Sequence, residues 1–301
     1  IERFKQLEES KLEIEDPHLE IGTSSSRLGK KIIELKNITK GYGDRVLIRD
    51  FSYMVLRNDR IGIVGPNGCG KTTLLRLIMG QEMPDSGSIE IGETVKIGYF
   101  SQESTQLDPE KRIIKYIEEI SDNVKIGDGY LSASQMLERF LFSPHMHSVQ
   151  IGRLSGGEKR RLYLLSILMQ APNVLIFDEP TNDLDIDTLT VLEDYLDDFP
   201  GAVIIVSHDR YFLDRLAIRT FGFEENGNIK HYIGGYSSYA NDRERRQAEA
   251  ANARKNKVEE SVSKKADGRN QKPKKLKFSY KEQIEYEAIE EDIERIESEI
   301  K

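Results

Sequence analysis

Apolar residues fall in short runs of strand length along the middle of the chain, with polar turns between them. Lys31-Ile32-Ile33-Glu34-Leu35 is the first, followed by Arg45-Val46-Leu47-Ile48, Phe51–Leu56 and Arg60-Ile61-Gly62-Ile63-Val64. Ser88–Ile91 and Val95–Phe100 read as two more strands. Val174-Leu175-Ile176-Phe177 and Ala202-Val203-Ile204-Ile205-Val206 are continuously apolar, the pattern of strands buried on both faces. Ile218–Phe223 and Asn228–Ile233 predict a closing antiparallel edge. Helical periods occupy Thr73–Gly80, Lys111–Ile120, Ser132–Phe142 and the stretch from Leu154 through Met169. A further helix sets Leu189, Leu192, Leu196 and Phe199 on one face and ends at Pro200-Gly201. Residues 104–152 therefore read as a small helical insertion, divided by Gly127-Asp128-Gly129.

The two ends have a different texture. Ile1, Phe4, Leu7 and Leu12 are spaced like the end of a solvated helix, and Thr23–Gly29 is a polar linker. After Tyr239 come a charged helix at Asn241–Val262 and a basic loop from Lys264 to Lys277. Tyr286, Ile289, Ile293, Ile296 and Ile300 then follow at heptad-like spacing.

Composition narrows the class. At 301 residues, the chain has room for one large or two modest domains. It is 38% hydrophobic and 32% charged, and its longest apolar run, Leu162–Met169, is too short to cross a bilayer. A single cysteine, Cys69, excludes an internal disulfide framework and predicts a reducing, cytoplasmic setting. The chain starts at Ile1 rather than Met and reads as an excised piece. The net charge of −8 hides an asymmetry. Arg254–Lys277 carries ten Lys/Arg against three Asp/Glu, whereas Glu282–Glu299 carries nine acids against Arg295 alone. The first block is a candidate for nucleic-acid phosphate; without interleaved aromatics it is a poor base-stacking surface.

The chemistry lies at the ends of the strands. Gly65-Pro66-Asn67-Gly68-Cys69-Gly70-Lys71-Thr72, followed by Thr73, fits the G-x-x-x-x-G-K-[ST] loop between a strand and a helix. Glycines let successive backbone N–H groups turn onto phosphate oxygens, and the helix N-terminus adds partial positive charge. Lys71 would then reach the β/γ-phosphates, and Thr72 would coordinate Mg2+. Cys69 reads as a small space-filler in this loop. Asp178 and Glu179 end an apolar strand, where one acid can meet the cation near Thr72 and the other can polarise an attacking water. His208 ends the next strand; a lone His there is usually structural, but if the sheet is parallel it lies where a γ-phosphate contact is expected. Leu154-Ser155-Gly156-Gly157-Glu158 reads either as a capping box from Ser155 to Glu158 or as a helix-terminal anion site. Tyr42 reads equally as a solvated turn residue or as an aromatic that stacks on adenine.

Taken together over about residues 31–240, these motifs resemble an ATP-binding-cassette nucleotide-binding domain. Five separated motifs stand in that family's order: the loop 65–72, Gln102 at a strand end, Leu154–Glu158, Asp178-Glu179 and His208. The resemblance implies an α/β P-loop NTPase fold with a mixed sheet core, an antiparallel edge, a helical subdomain at about 104–170 and a charged coiled-coil extension at 241–301. It makes Tyr42 the adenine-stacking residue, Gln102 a Mg2+ and water contact, and Asp183, Leu184 and Asp185 a loop facing a partner cassette. Glu179-Pro180-Thr181-Asn182-Asp183-Leu184-Asp185 and Ser207-His208-Asp209-Arg210-Tyr211-Phe212-Leu213-Asp214-Arg215 are similar to the ABC-F branch. Leu137–Phe142 and Leu192–Phe199 look Uup-like and resemble a second cassette.

Family members join two cassettes in one polypeptide, with each ATP held between one phosphate loop and the other cassette's signature. Residues 1–30 would then be the tail of the inter-cassette linker, and Ser155 to Gly157 would serve ATP bound by another cassette. The implied cofactors are ATP and Mg2+; the implied partners are a second cassette, the ribosome with tRNA, and DNA or RNA at 254–277. Two other functions remain open on these residues: the energising subunit of a transporter, and a nucleic-acid-binding module switched by ATP with little turnover.

Overall fold

The computed structural model describes residues 31–101, 107–126 and 129–249. Gln102, the linker read at 1–30, the basic segment 254–277 and the heptad-like stretch lie outside the described residues. The chain divides into two units, residues 1–243 and 244–301.

Five parallel strands form the centre of the first unit. They are β3 (Arg60–Val64), β5 (Ile97–Phe100), β8 (Val174–Asp178), β9 (Ala202–Val206) and β10 (Arg219–Phe223). With β11 (Ile229–Ile233) they make one six-stranded sheet in the order β11-β10-β3-β9-β8-β5. Only β11 runs antiparallel, paired with β10. The antiparallel edge expected from Ile218–Phe223 and Asn228–Ile233 is present as the β10–β11 pair, and β10 also pairs parallel with β3. The reason is the helix α6 (Arg210–Leu216), a crossover that returns the chain to start β10 in the direction of β9.

Alternation on the central strands separates two cores. Leu175 and Phe177 of β8, with Val203 and Ile205 of β9, pack on one face with the helical side of the molecule. Val174, Ile176, Ala202, Ile204 and Val206 point to the other face. That second core is covered by α1 (Lys71–Ile78) and by an antiparallel sheet of β1 (Lys31–Tyr42), β2 (Arg45–Leu56) and β4 (Ser86–Ile91), ordered β2-β1-β4. The hydrophobic pattern broke β1 at Leu35 and β2 at Ile48. Both strands continue through irregularities in register, with Asn37 and Asp50 at positive φ, and turn at Gly43-Asp44.

On the other face lie α2 (Ile113–Glu118), α3 (Ala133–Arg139) and α4 (Gly156–Met169). The two helices expected in residues 104–152 are present as α2 and α3, and the stretch between them adds an unexpected antiparallel pair of β6 (Asn123–Ile126) and β7 (Gly129–Ser132). Val124 is the buried position in its described part, too sparse a pattern to register as strand alternation. The helix α5 (Ile186–Asp197) buries Leu192, Tyr195 and Leu196, and the last described residues of the first unit, from 236 to 243, are helical.

Candidate functional site

The C-terminal ends of β3, β8 and β9 open on one cleft of about 490 Å3. Leu47, Asn67, Gly68, Gly70, Lys71, Thr72, Thr73, Asp178, Glu179, Asn182 and His208 line it. Glycine builds the near wall. Gly68 and Gly70 sit at φ +71° and +118°, a region L side chains rarely adopt. At Gly65 a Cβ would stand 2.7 Å from Phe223 Cβ and 2.8 Å from Cys69 Sγ. Cys69 is half-buried, and burial pushes its thiol pKa up, which suits a space-filler better than a nucleophile. α1 starts at Lys71 with Gly70 as its cap, so its N-terminus opens into the cleft.

Lys71 is 9% exposed, and its ammonium donates to the carbonyls of Gly65 at 3.0 Å and Pro66 at 3.2 Å. Thr72 Oγ1 donates to Asp178 Oδ2 at 3.3 Å. Tyr99 of β5 donates its hydroxyl to the same Oδ2 at 3.4 Å. Burial raises the Asp178 pKa, and the donors Thr72 and Tyr99 oppose that shift. Glu179 follows at φ +54°, with its N–H on the Val206 carbonyl at 2.9 Å. One carboxylate oxygen, Oε2, accepts the His208 N–H at 3.2 Å. The other, Oε1, is buried without a hydrogen bond among the described residues. It lies 3.4 Å from His208 Nε2, within ion-pair range but not aligned as a hydrogen bond. His208 Nε2 is also 3.2 Å from Asn67 Oδ1, joining the phosphate-loop motif to the end of β9.

Other expected residues are not among those lining the cleft. Tyr42 is 51% exposed, with Lys40 5.5 Å from its ring centroid. Its hydroxyl bonds to Glu82, which raises the phenol pKa, and Thr73 is a second partner. Leu47, which the sequence reading passed over, lines the cleft instead. Leu154 is buried, while Ser155, Gly156 and Gly157 are exposed at the start of α4. The capping box is present, with Ser155 N–H on Glu158 Oε2 at 2.7 Å and Glu158 N–H on Ser155 Oγ at 3.3 Å. The Ser155 N–H also holds the Glu158 carboxyl below its usual range.

Asp183, Leu184 and Asp185 lie between β8 and α5, and Leu184 is buried. Arg160 of α4 bonds to Asp183 and donates to the Ser101 carbonyl at 2.9 Å, while Arg161 reaches Asp185 at 2.6 Å. Neither arginine was singled out from sequence, since adjacent basic residues on a helix ordinarily read as a solvated face.

The ABC transporter family model matches residues 48–182. The chain is 48% identical over 298 residues to the uncharacterized ABC transporter ATP-binding protein YfmR of Bacillus subtilis, covering 99% of this chain and 46% of that protein. It is 37% identical to the ATP-binding protein Uup of Escherichia coli, covering 99% of this chain and 45% of Uup. Residues 48–182 thus carry an ABC transporter domain, and over most of its length the chain is similar to the ABC-F ATP-binding proteins Uup and EttA. Of these, the energy-dependent translational throttle protein EttA of Escherichia coli is 43% identical over 213 residues, 71% of this chain and 38% of EttA. The chain thus spans less than half the length of these three relatives. An ATP-binding subunit of an ABC transporter superposes with a TM-score of 0.56 at 18% identity, over 67% of this chain and 90% of that one, a likeness of fold. Among the described residues, no helix is long and apolar enough to cross a membrane.

Proposed function

We propose that this chain binds and hydrolyses ATP with Mg2+, as the second cassette of a two-cassette cytoplasmic ABC-F protein acting on the ribosome. Residues 31–240 form the cassette in this reading, with a helical subdomain at about 104–170. Residues 1–30 end the inter-cassette linker, and 241–301 begin a charged coiled-coil extension. The observation carrying the proposal is the meeting of Lys71, Thr72, Asp178, Glu179 and His208 at one cleft.

The donor set suits Mg2+. Thr72 and Asp178 offer two hard oxygens, and a hydroxyl that donates its proton to a carboxylate keeps its lone pairs for a cation. No group of three or more His, Cys, Asp or Glu able to hold a metal occurs among the described residues. Mg2+ needs none beside a nucleotide, because phosphates and waters complete its shell. Bound Mg2+–ATP supplies an electrophilic γ-phosphorus with its charge screened.

The chain's own side chains do the rest. Lys71 leaves the Gly65 and Pro66 carbonyls for phosphate oxygens, and backbone N–H groups of the loop cradle them. Thr72 and Asp178 hold the cation, joined by Gln102. Glu179 Oε1, buried without a hydrogen bond among the described residues, accepts a proton from the attacking water. His208, held by Glu179 and Asn67, contacts the γ-phosphate. Tyr42 stacks on the adenine. Ser155 to Gly157, exposed and not among the residues lining this cleft, grip ATP held by the other cassette, and Asp183 to Asp185 face it.

The relative named as a translational throttle supports the ribosomal part. Ribosome co-sedimentation of the full-length protein carrying Glu179→Gln tests it: ATP-dependent association is expected, and its absence sinks the ribosomal reading. The single cassette is expected to bind ATP but turn it over slowly. Its rate should rise with the square of protein concentration at low concentration, as pairs assemble.

A further inference from the structure

We propose that Tyr99 is a positioning residue for the divalent cation, acting through Asp178 and resting on the ATPase reading of the cleft. Its hydroxyl and that of Thr72 converge on one oxygen, Asp178 Oδ2, at 3.4 and 3.3 Å. Two donors on a single carboxylate oxygen select one orientation of the group. Thr72 belongs to the phosphate-loop motif, whereas Tyr99 comes from a neighbouring strand and lies outside the set lining the cleft.

Tyr99 is itself held firmly. Parallel pairing of β5 with β8 sets Tyr99 beside Ile176 and Phe100 beside Phe177, one residue before Asp178. The Tyr163 hydroxyl of α4 donates to the Tyr99 carbonyl at 3.4 Å, and the Tyr163 ring stacks on Phe100 at 5.6 Å. The hydroxyl therefore arrives at Asp178 from a strand held by β8 along one edge and by Tyr163 of α4, and the carboxylate is positioned before the cation binds. Groups that orient a metal ligand from behind change metal affinity by about 10–100-fold when removed.

Mn2+, as a paramagnetic stand-in for Mg2+, measures the effect on the 301-residue chain with ATP in a Glu179→Gln background that slows turnover. Tyr99→Phe is expected to weaken Mn2+ about 10-fold or more, while leaving ATP affinity in EDTA within about twofold. ATP affinity in EDTA and thermal unfolding report that the variant is folded. In an Asp178→Asn chain, Tyr99→Phe is expected to add nothing, which a packing role for the ring would not produce.

Two results overturn the proposal alone. One is Mn2+ affinity unchanged in Tyr99→Phe but lost in Asp178→Asn; the other is full additivity of the two substitutions. If Asp178→Asn also leaves Mn2+ affinity unchanged, the ATPase reading of the cleft falls, and this proposal with it.

Discussion

Glu179 and His208 are joined twice: the His208 N–H donates to Glu179 Oε2 at 3.2 Å, and the imidazole Nε2 stands 3.4 Å from Oε1. The backbone bond fixes the carboxylate, so the two side chains can change roles without the acid losing its place. Glu179→Gln keeps that backbone bond and removes the proton acceptor. Turnover should fall by about 10²–10⁴-fold, with ATP binding retained. Phosphate release and fluorescent-nucleotide titration measure the two effects; equal loss of both would assign Glu179 to binding.

The phosphate-loop motif leaves no room at its first glycine. Gly65→Ala puts a methyl 2.7 Å from Phe223 Cβ and 2.8 Å from Cys69 Sγ. The expected cost is about 1–3 kcal/mol of overpacking. In a cassette of this size that lowers Tm by roughly 2–4 °C per kcal/mol. Cys69→Ala should restore part of it by removing the Sγ, an effect that thermal unfolding of the single and double variants would reveal.

Arg160 ties α4 to Asp183 and to the Ser101 carbonyl, with its guanidinium 5.1 Å from the Phe100 ring centroid. A double-mutant cycle of Arg160→Met and Asp183→Asn in denaturant should return a coupling of about 0.5–3 kcal/mol. Arg160→Lys should recover it only in part, because an ammonium lacks the planar guanidinium that lies over the Phe100 ring while its Nη2 meets Asp183 and the Ser101 carbonyl. Additive effects would mean that the pair carries no energy.

Burial raises the Asp178 pKa above its ordinary value. The folded state therefore binds the proton more tightly than the unfolded one, and charging the group at neutral pH opposes folding. Asp178→Asn should raise the nucleotide-free Tm in EDTA at pH 7–8, by on the order of 2–4 °C for each kcal/mol relieved. The gain should shrink as pH falls through the raised pKa and vanish below the unfolded value of about 3.9. Tm against pH for both chains is the measurement; a gain that grows toward acid would reverse the assignment.

Some of this was readable because the signal is local. The phosphate-loop motif needs glycines at φ values a side chain rarely adopts, and Gly68 and Gly70 sit there. β8 and β9 are continuous apolar runs because parallel strands are buried on both faces. The capping box at Ser155 and Glu158 is a three-residue relationship within one helix turn.

The rest depended on which strands became neighbours. The β6–β7 pair carries too few apolar positions to announce itself, and β10 joins β3 in parallel because α6 returns the chain after β9. Tyr99, Arg160 and Arg161 looked ordinary until pairing and packing brought them to Asp178, Asp183 and Asp185.

Adjacent residues set most of the elements, the phosphate-loop motif and the acids at a strand end, since each follows from the conformational and chemical needs of its neighbours. Only the tertiary structure decided that Lys71, Thr72, Asp178, Glu179 and His208 share one cleft while Ser155 to Gly157 stand outside it. The strand order that gathers the first group arises from long-range packing of interchangeable apolar faces, and no local spacing encodes it.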